Sequence, residues 1–227
     1  MDQVNRSSSF SYTIATLNIN GITNTNKIQA LISFIYTLEI DILCMQEVIN
    51  ENLQIPGYTM LFNISETRRG TAIALKDGII PTRVSRSPDS RVICIDLGND
   101  VSIINIYAPS GSNNRSAREA FFYTTVPFYL QHRQLYTMMV GDFNLVLNHQ
   151  DTNGGQNLSP ALKRLCDGVV LKDVWREMNR ARNDFTFVRG RSMSRIDRVY
   201  TSQNCIQHIR FCKVQVNSFS DHKAVLF

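Results

Sequence analysis

Short apolar runs that stop at polar side chains constrain the fold of this chain more than any other feature. Residues 42–45 are continuously apolar just before Glu47, and the run that begins at residue 138 stops at Asp142 and Asn144. Unbroken apolar runs of this length are typical of strands that are covered on both faces. Because helical patterns lie between such runs, the sequence predicts an α/β fold with buried sheets.

The order of these elements can be read along the chain. We expect a strand at 10–18, an amphipathic helix capped by Asn24 or Thr25, and a second strand at 41–47. Four β-rich runs between residues 56 and 97 favour an antiparallel meander. Further on, runs 185–188 and 196–200 are predicted to form a hairpin with an arginine-rich tip.

Length and composition limit the domain organisation. The 227 residues suffice for one domain with a sizeable core, which we expect at residues 10–227. Residues 1–9 are polar and rich in serine, so we expect a disordered end or a segment added for expression. The last apolar strand is cut short, which suggests a domain excised from a longer polyprotein.

Several classes of protein are disfavoured by composition. No apolar run approaches the roughly 20 residues of a membrane span, and residues 1–9 hold no hydrophobic signal core. The five cysteines lack metal-ligand spacing, which favours reduced thiols and argues against structural zinc. Grouped arginines within a net charge of +5 suit a polyanionic partner, although a solvated surface would explain them equally well.

Polar residues suited to catalysis follow several predicted strands. Each one alone fits an ordinary strand end or turn. Together they predict an active site, because ligand sites in α/β sheets lie beyond strand ends. The candidates are Asn18, Glu47, Tyr107, Asp142, Asn144, Asp197, Asp221 and His222.

Phosphodiester hydrolysis requires a positioned water and stabilisation of charge on the phosphoryl oxygens. The carboxylate of Glu47, the amide oxygen of Asn18 and the carboxylate of Asp221 are hard ligands that suit Mg²⁺. The metal would act as a Lewis acid.

The remaining candidates suit acid–base and hydrogen-bonding work. Asp142 would orient and deprotonate the water, and Asn144 would donate its amide to a phosphate oxygen. His222, oriented and charged by Asp197, would stabilise the pentacovalent phosphorus, while Tyr107 would hydrogen-bond the phosphate.

Six segments in this order resemble the exonuclease–endonuclease–phosphatase superfamily. They cover the chain from about residue 10 to its end, and are Thr16-Leu17-Asn18-Ile19-Asn20-Gly21, Met45-Gln46-Glu47, Asn105-Ile106-Tyr107-Ala108-Pro109, Gly141-Asp142-Phe143-Asn144, Arg195-Ile196-Asp197 and Ser220-Asp221-His222. The resemblance implies a four-layered α/β sandwich, in which two mixed β-sheets pack together and are flanked by helices.

Within that superfamily the chain looks most like the apurinic-type endonuclease domain of LINE-type (non-LTR) retrotransposons. That resemblance implies a nuclear enzyme that uses Mg²⁺, or Mn²⁺ as a substitute, to nick one strand of double-stranded target DNA. The 3′-hydroxyl would prime reverse transcription by a reverse transcriptase domain of the same polypeptide. It also implies that Thr186, Asn20 and Ser220 lie near the DNA.

Two alternatives remain open from the sequence. One is a repair-type abasic-site endonuclease or 3′ exonuclease, and the other is a catalytically inactive nucleic-acid-binding module of the same fold. Departures from the repair enzymes disfavour the first, since Asn20 stands where they usually carry Asp and Lys223 where they usually carry Pro. The presence of every expected active-site residue disfavours the second.

A separate hypothesis, drawn from the predicted hairpin, concerns Arg189 and Arg191. At the tip of the hairpin these arginines would enter a groove of the DNA or clamp its phosphates. The alternative is a solvated loop.

Overall fold

Two mixed sheets packed together, with helices outside them, make up the fold. The computed structural model describes residues 11–65, 68–98, 100–154 and 158–227, so the expectation for residues 1–9 lies outside the described residues. Each main sheet has six strands. This is the α/β sandwich that the sequence predicts.

The strands are numbered in chain order. They are β1 (Ile14–Asn18), β2 (Ile42–Val48), β3 (Tyr58–Ser65), β4 (Arg68–Lys76), β5 (Arg83–Arg86), β6 (Val92–Leu97), β7 (Val101–Tyr107), β8 (Tyr136–Asp142), β9 (Leu171–Asp173), β10 (Phe187–Arg189), β11 (Ser192–Ser194), β12 (Asp197–Ser202), β13 (Lys213–Gln215) and β14 (Ala224–Leu226).

The helices are short apart from the first. They are α1 (Thr25–Thr37), α2 (Arg115–Ala120), α3 (Val126–Gln131), α4 (Pro160–Gly168), α5 (Val174–Met178) and α6 (Gln203–Ile206), with a π-helical segment, Phe121–Thr125, between α2 and α3. The predicted helix start is confirmed, because the side chain of Asn24 caps α1 by accepting from the amides of Asn26 and Lys27. None of the described helices has the length and apolar character needed to cross a membrane.

Strand order shows that the predicted meander at 56–97 is wrong. The first sheet has the order β13-β14-β1-β2-β4-β3, and the second has the order β5-β6-β7-β8-β12-β9. The run therefore divides, with β3 and β4 in one sheet and β5 and β6 in the other. Gly78, at φ +96°, turns the chain after β4, and local pattern does not reveal which sheet the next strand joins.

The predicted hairpin is also wrong in its second strand. β10 pairs with β11, whereas β12 leaves the hairpin and pairs with β8 and β9 in the second sheet. The hydroxyl of Thr186 accepts hydrogen bonds from the amides of Ile196 and Asp197, at 3.1 Å each. These bonds hold the backbone where the chain leaves the hairpin and enters β12.

Three apolar cores correspond to the layers. One lies between the sheets and includes Ile73 and Val140, a second lies between the first sheet and α1, and a third between the second sheet and α2 to α4. The five cysteines are free thiols, and all are buried in this interior.

Candidate active site

The ends of five strands meet at one edge of the sandwich. β1 and β2 run parallel in the first sheet and β7 and β8 run parallel in the second, so each pair ends on one side. In the second sheet Asp142 lies beside Tyr107 on one neighbour and beside Asp197 on the other. Asn18, at the end of β1, donates to Oδ2 of Asp142 at 2.9 Å and thereby joins the two sheets at the site.

Asp142 is held in a buried position at the end of β8. Gly141 precedes it with φ +135°, and a Cβ there would collide with the carbonyl oxygen of Ile106 on β7. Only glycine allows this close approach of the two strands. The strand ends at Asp142, earlier than the sequence suggests, and Asn144 follows in a left-handed turn with φ 51°.

Asn144 shares its amide between two acceptors. Its Nδ2 donates to the carbonyl of Ala108 at 2.9 Å and to Oδ2 of Asp142 at 3.2 Å, while its backbone amide donates to Oδ1 of Asp142 at 2.9 Å. Phe143 points into the core and stacks on Phe122. Asp142 and Asn144 thus lie on the site side and Phe143 on the core side, and a turn rather than a continued strand produces this division.

The environment of Asp142 makes it a stronger base. Burial is the main cause that raises the pKa of this carboxyl, and the charge of Asp197 raises it further. The charge of His222 and the hydrogen bonds from Asn18 and Asn144 oppose this rise without cancelling it. A carboxylate with a raised pKa accepts a proton from water more readily than an ordinary one does.

His222 and Asp197 form a buried pair. Nδ1 of His222 lies 2.9 Å from Oδ2 of Asp197 and 3.1 Å from its Oδ1. Burial alone would lower the pKa of His222, but the charge and hydrogen bond of Asp197, with the charge of Asp142, raise it well above its ordinary value. The imidazole is therefore cationic at neutral pH, and because Asp197 uses Nδ1, a substrate contact has to use Nε2.

Glu47 reaches the site from a bulge in β2. The pairing of β2 with β4 shifts between Gln46 and Val48, and Glu47 has φ 56°. Its Oε1 accepts from Nδ2 of Asn18 at 3.0 Å and from the hydroxyl of Tyr107 at 3.2 Å. Burial, followed by the charge of Glu47, raises the pKa of Tyr107 to about 12, so this phenol stays protonated and donates.

The donor set beside Asn18 fits a divalent cation. Glu47 and Asp221 supply carboxylates and Asn18 an amide oxygen, which are the hard ligands that Mg²⁺ prefers. The guanidinium of Arg69 already contacts Oε2 of Glu47, which marks this position as one that attracts positive charge.

A second group of ligand atoms lies deeper. Ligand atoms of Asp142, Asp197 and His222 lie within 4.8 Å of one another, which is close enough to hold a metal ion. In the structure Nδ1 of His222 is paired with Asp197, and Asn18 donates to Asp142. The carboxylates of Glu47 and Asp221 are the more accessible of the two acidic groups.

Three of the five residues predicted to contact DNA are exposed. Arg189 and Arg191 flank Gly190 in the turn between β10 and β11. Asn20 lies at the edge of the site, where its Nδ2 donates to Oδ1 of Asp221 at 3.1 Å. These three side chains are accessible to DNA.

Thr186 and Ser220 instead support the site from within. Thr186 is fully buried, and its hydroxyl is used by the backbone before Asp197. Ser220 donates to the carbonyl of Asn18 at 2.7 Å and accepts from the amide of His222 at 3.1 Å. In the structure both hydroxyls hold the backbone of site residues, so the expectation that these residues contact DNA stays a prediction.

Three arginines to which the sequence by itself assigns no role also lie at or next to the site. Arg69 contacts Glu47 because β4 pairs with β2, and only its position within a group of arginines was visible in the sequence. Arg195 and Arg198, which bracket Asp197, are buried and ion-paired with Asp151 and Asp173. No local pattern distinguishes these buried arginines from solvated ones.

Comparison with known proteins agrees with the motifs. The model of the Endonuclease/Exonuclease/phosphatase family matches residues 15–222. An uncharacterised 149 kDa protein of transposon TX1 from Xenopus laevis is 27% identical over 233 residues. The match covers 93% of this chain but 18% of that protein, so the chain spans less than a fifth of its length.

Solved structures share the fold at low identity. An AP endonuclease from Archaeoglobus fulgidus has a TM-score of 0.82 and 21% identity, covering 95% of this chain and 98% of its own. A 3′ phosphatase from Neisseria bound to product DNA hairpin has a TM-score of 0.81 and 19% identity, with the same coverage of both chains. From its family match over residues 15–222, the chain belongs to the endonuclease/exonuclease/phosphatase family, whose members are hydrolytic enzymes.

Proposed function

We propose that this chain is a metal-dependent DNA endonuclease that nicks one strand of a target duplex and leaves a 3′-hydroxyl. The observation that carries the proposal is that Asn18 donates to both Asp142 and the half-buried Glu47, while Asp197 of the His222–Asp197 pair lies beside Asp142. This set meets the needs of phosphodiester hydrolysis at a single place. The DNA-bound phosphatase of the same fold supports a nucleic acid as substrate.

The transposon relative supports a more specific assignment. In a non-LTR retrotransposon protein, the nick would supply the primer for target-primed reverse transcription. A reverse transcriptase domain in the same polypeptide would extend the 3′-hydroxyl, and the reaction would take place in the nucleus, where the target DNA lies.

Asp142 and His222 would divide the proton chemistry. Asp142, held by Asn18 and Asn144, takes a proton from the water that attacks phosphorus. The P–O3′ bond breaks, and the departing O3′ takes a proton from solvent to become the 3′-hydroxyl. His222 donates from Nε2 to a phosphoryl oxygen and offsets the negative charge that develops there. Asp197 keeps His222 both oriented and charged.

Three further groups would hold the phosphate. Tyr107 donates its hydroxyl, and Asn144 exchanges its 3.2 Å contact with Asp142 for a phosphate oxygen while keeping Ala108. A divalent cation held by Glu47, Asp221 and Asn18, either Mg²⁺ or Mn²⁺, would supply Lewis acidity toward the phosphate.

Conversion of supercoiled plasmid to open circles tests the proposal. The wild-type protein should nick only with Mg²⁺ or Mn²⁺, and a polymerase should extend the products directly from a 3′-hydroxyl. Asp142→Asn and His222→Gln should each slow nicking by about 100-fold or more, since each removes an acid–base group. Lys163→Gln, an exposed change on α4, should leave the rate unchanged.

Two outcomes would contradict this function. Preferential cleavage of a duplex with one abasic site would favour a repair enzyme. Binding of DNA without metal-dependent nicking by the wild-type protein would favour an inactive binding module.

A further inference from the structure

Arg69 is the one cation in direct contact with Glu47 among the described residues of the site. Its Nη1 contacts Oε2 of Glu47 and lies 3.0 Å from Oδ1 of Asn20. Asn20 in turn donates to Asp221. A single guanidinium therefore lies between the two carboxylates assigned to the cation, joined to one directly and to the other through Asn20.

The two oxygens of Glu47 have different partners. Oε1 accepts from Asn18 and from Tyr107, both of which are neutral donors of the site. Oε2 is the oxygen that Arg69 contacts. A cation that bound Glu47 without breaking the contacts of Asn18 and Tyr107 would have to bind Oε2, and it would meet the guanidinium there.

The position of Arg69 is shaped by the backbone around it. Gly21, at φ +63°, lies beneath the guanidinium, and a Cβ at this position would come within 3.3 Å of Cζ of Arg69. Glycine thus leaves room for the guanidinium against the chain.

The ion pair between Arg69 and Glu47 is easily broken because Arg69 is exposed to solvent. The side chain of Arg69 is 46% exposed, whereas that of Glu47 is 16% exposed. An ion pair with one partner so exposed adds little stability, so breaking it costs little. Arg69 can leave toward water, but Glu47 stays fixed by its bulge and by Oε1.

From these contacts we propose that Arg69 is the resident counter-ion of the cation site. Its guanidinium neutralises Glu47 in the metal-free protein and is displaced when a divalent cation binds Oε2. Arg69 is in this sense a positioning residue that sets the affinity for metal. The inference rests on the cation site of the proposed function.

Binding of Mn²⁺, followed by the electron paramagnetic resonance signal of the free ion, tests this role without DNA or turnover. Arg69→Gln keeps a side chain able to hydrogen-bond but removes the charge, so it should bind Mn²⁺ about three- to tenfold more tightly than wild type. Arg69→Lys, which restores the charge, should return the affinity toward the wild-type value. Arg180→Gln, which removes an exposed arginine paired with Glu177, should have no effect.

A second measurement follows the displacement itself. In the wild-type protein, the Nε–Hε resonance of Arg69, assigned by its absence in Arg69→Gln, should shift as diamagnetic Mg²⁺ is added. Thermal unfolding without metal should be unchanged by Arg69→Gln within about 1 kcal/mol, which shows that the variant is folded.

The outcomes separate this inference from the proposed function. If the wild-type protein binds Mn²⁺ and Glu47→Gln does not, but Arg69→Gln binds no more tightly than wild type, the role of Arg69 is refuted and the cation site stands. If neither the wild-type protein nor Arg69→Gln binds Mn²⁺, both are refuted.

Discussion

Three residues at the site have backbone conformations that side-chain-bearing residues rarely adopt. Asn20, Glu47 and Asn144 have φ of 48°, 56° and 51°. Such conformations cost on the order of 1 kcal/mol or more each and persist only where the surroundings hold them. The side chain of Asn18 holds Asn20 by accepting a hydrogen bond from its backbone amide, and the side chain of Asp142 holds Asn144 in the same way. Strain is thus concentrated where the strands deliver their functional side chains.

The hydroxyl of Thr186 holds the backbone at Asp197, and replacing Thr186 tests this role. Thr186→Val leaves the amides of Ile196 and Asp197 buried without an acceptor, so we expect a loss of roughly 2–4 kcal/mol in the free energy of unfolding. Nicking should slow as well, because Asp197 orients His222. Urea denaturation and plasmid nicking measure the two effects.

Thr186→Ser and Thr59→Val are the matched controls for this change. Serine keeps the acceptor and should retain most of the activity, and Thr59 is exposed on β3, so its change should matter little. Equal stability of Thr186→Val and wild type would show that the hydroxyl does not hold this backbone.

At the scale of elements, the hairpin of β10 and β11 presents arginines on a supported turn. Asn153 donates from Nδ2 to the carbonyl of Arg191 at 2.8 Å and accepts from the amide of Met193 at 2.7 Å. Arg189 and Arg191 are exposed. The turn is held to the main body while its charges face solvent.

Replacing both arginines should weaken binding to DNA. For Arg189→Ala/Arg191→Ala we expect lower affinity for duplex DNA and a shallower dependence of log affinity on log salt. The slope should fall by about 0.9 for each phosphate that the protein no longer neutralises. Titrations with a labelled duplex at several salt concentrations measure the slope. An unchanged slope and unchanged nick positions would exclude the hairpin from the interface, and Lys163→Ala on α4 serves as the control.

The helices and strands differ in how well local sequence predicts them. The starts of α1 and α4 are predictable because Asn24 and Ser159 cap them through contacts within a few residues. The pairings of β5 and β12 are not predictable in this way, because their partners are chosen by burial across the whole sandwich. The predicted meander and the predicted hairpin are wrong for that reason.

At the scale of the whole molecule, a buried pair of amide side chains also joins the two sheets. Asn105 on β7 donates to the carbonyls of Met45 and Ala72 in the first sheet, at 3.0 Å each, and accepts from Gln46 at 2.7 Å. Both amide side chains are fully buried. The pair sets the relative position of β2 and β7, which carry Glu47 and Tyr107 at their ends.

Asn105→Ala should therefore destabilise the whole protein. We expect a loss of about 3–5 kcal/mol in the free energy of unfolding, because buried carbonyls and the amide of Gln46 lose their partner. The double variant Asn105→Ala/Gln46→Ala should lose less than the sum of the single changes. Additive losses in urea denaturation would show that the two side chains act independently.

Acid stability should depend on the buried ion pairs around Asp151. Burial alone would raise the pKa of Asp151, but the charges and hydrogen bonds of Arg198, Arg195 and Arg176 lower it to about 2. A depressed carboxyl pKa adds stability that is complete above the unfolded pKa of about 4 and disappears as the pH falls through about 2.

This contribution can be isolated by comparing unfolding at several pH values. Between pH 4 and pH 2 the wild-type protein should lose on the order of 2 kcal/mol more than Asp151→Asn does. Asp151→Asn should already be less stable at pH 5, because Arg195 and Arg198 lose a partner. Asp167→Asn, an exposed change, should follow the wild-type curve, and parallel curves for all three would refute the assignment.

The sequence by itself determined the chemistry of the site, because hydrophobic periodicity marks the strands and the polar residues that end them can be read directly. The tertiary structure alone decided which of those residues meet. Asn18 contacts Asp142 across 124 residues of chain, the hydroxyls of Thr186 and Ser220 hydrogen-bond to the backbone of site residues, and Arg69 contacts Glu47 from a neighbouring strand. These contacts depend on which strands pair and how the two sheets pack, and that choice is made by burial summed over the whole chain rather than by any local pattern.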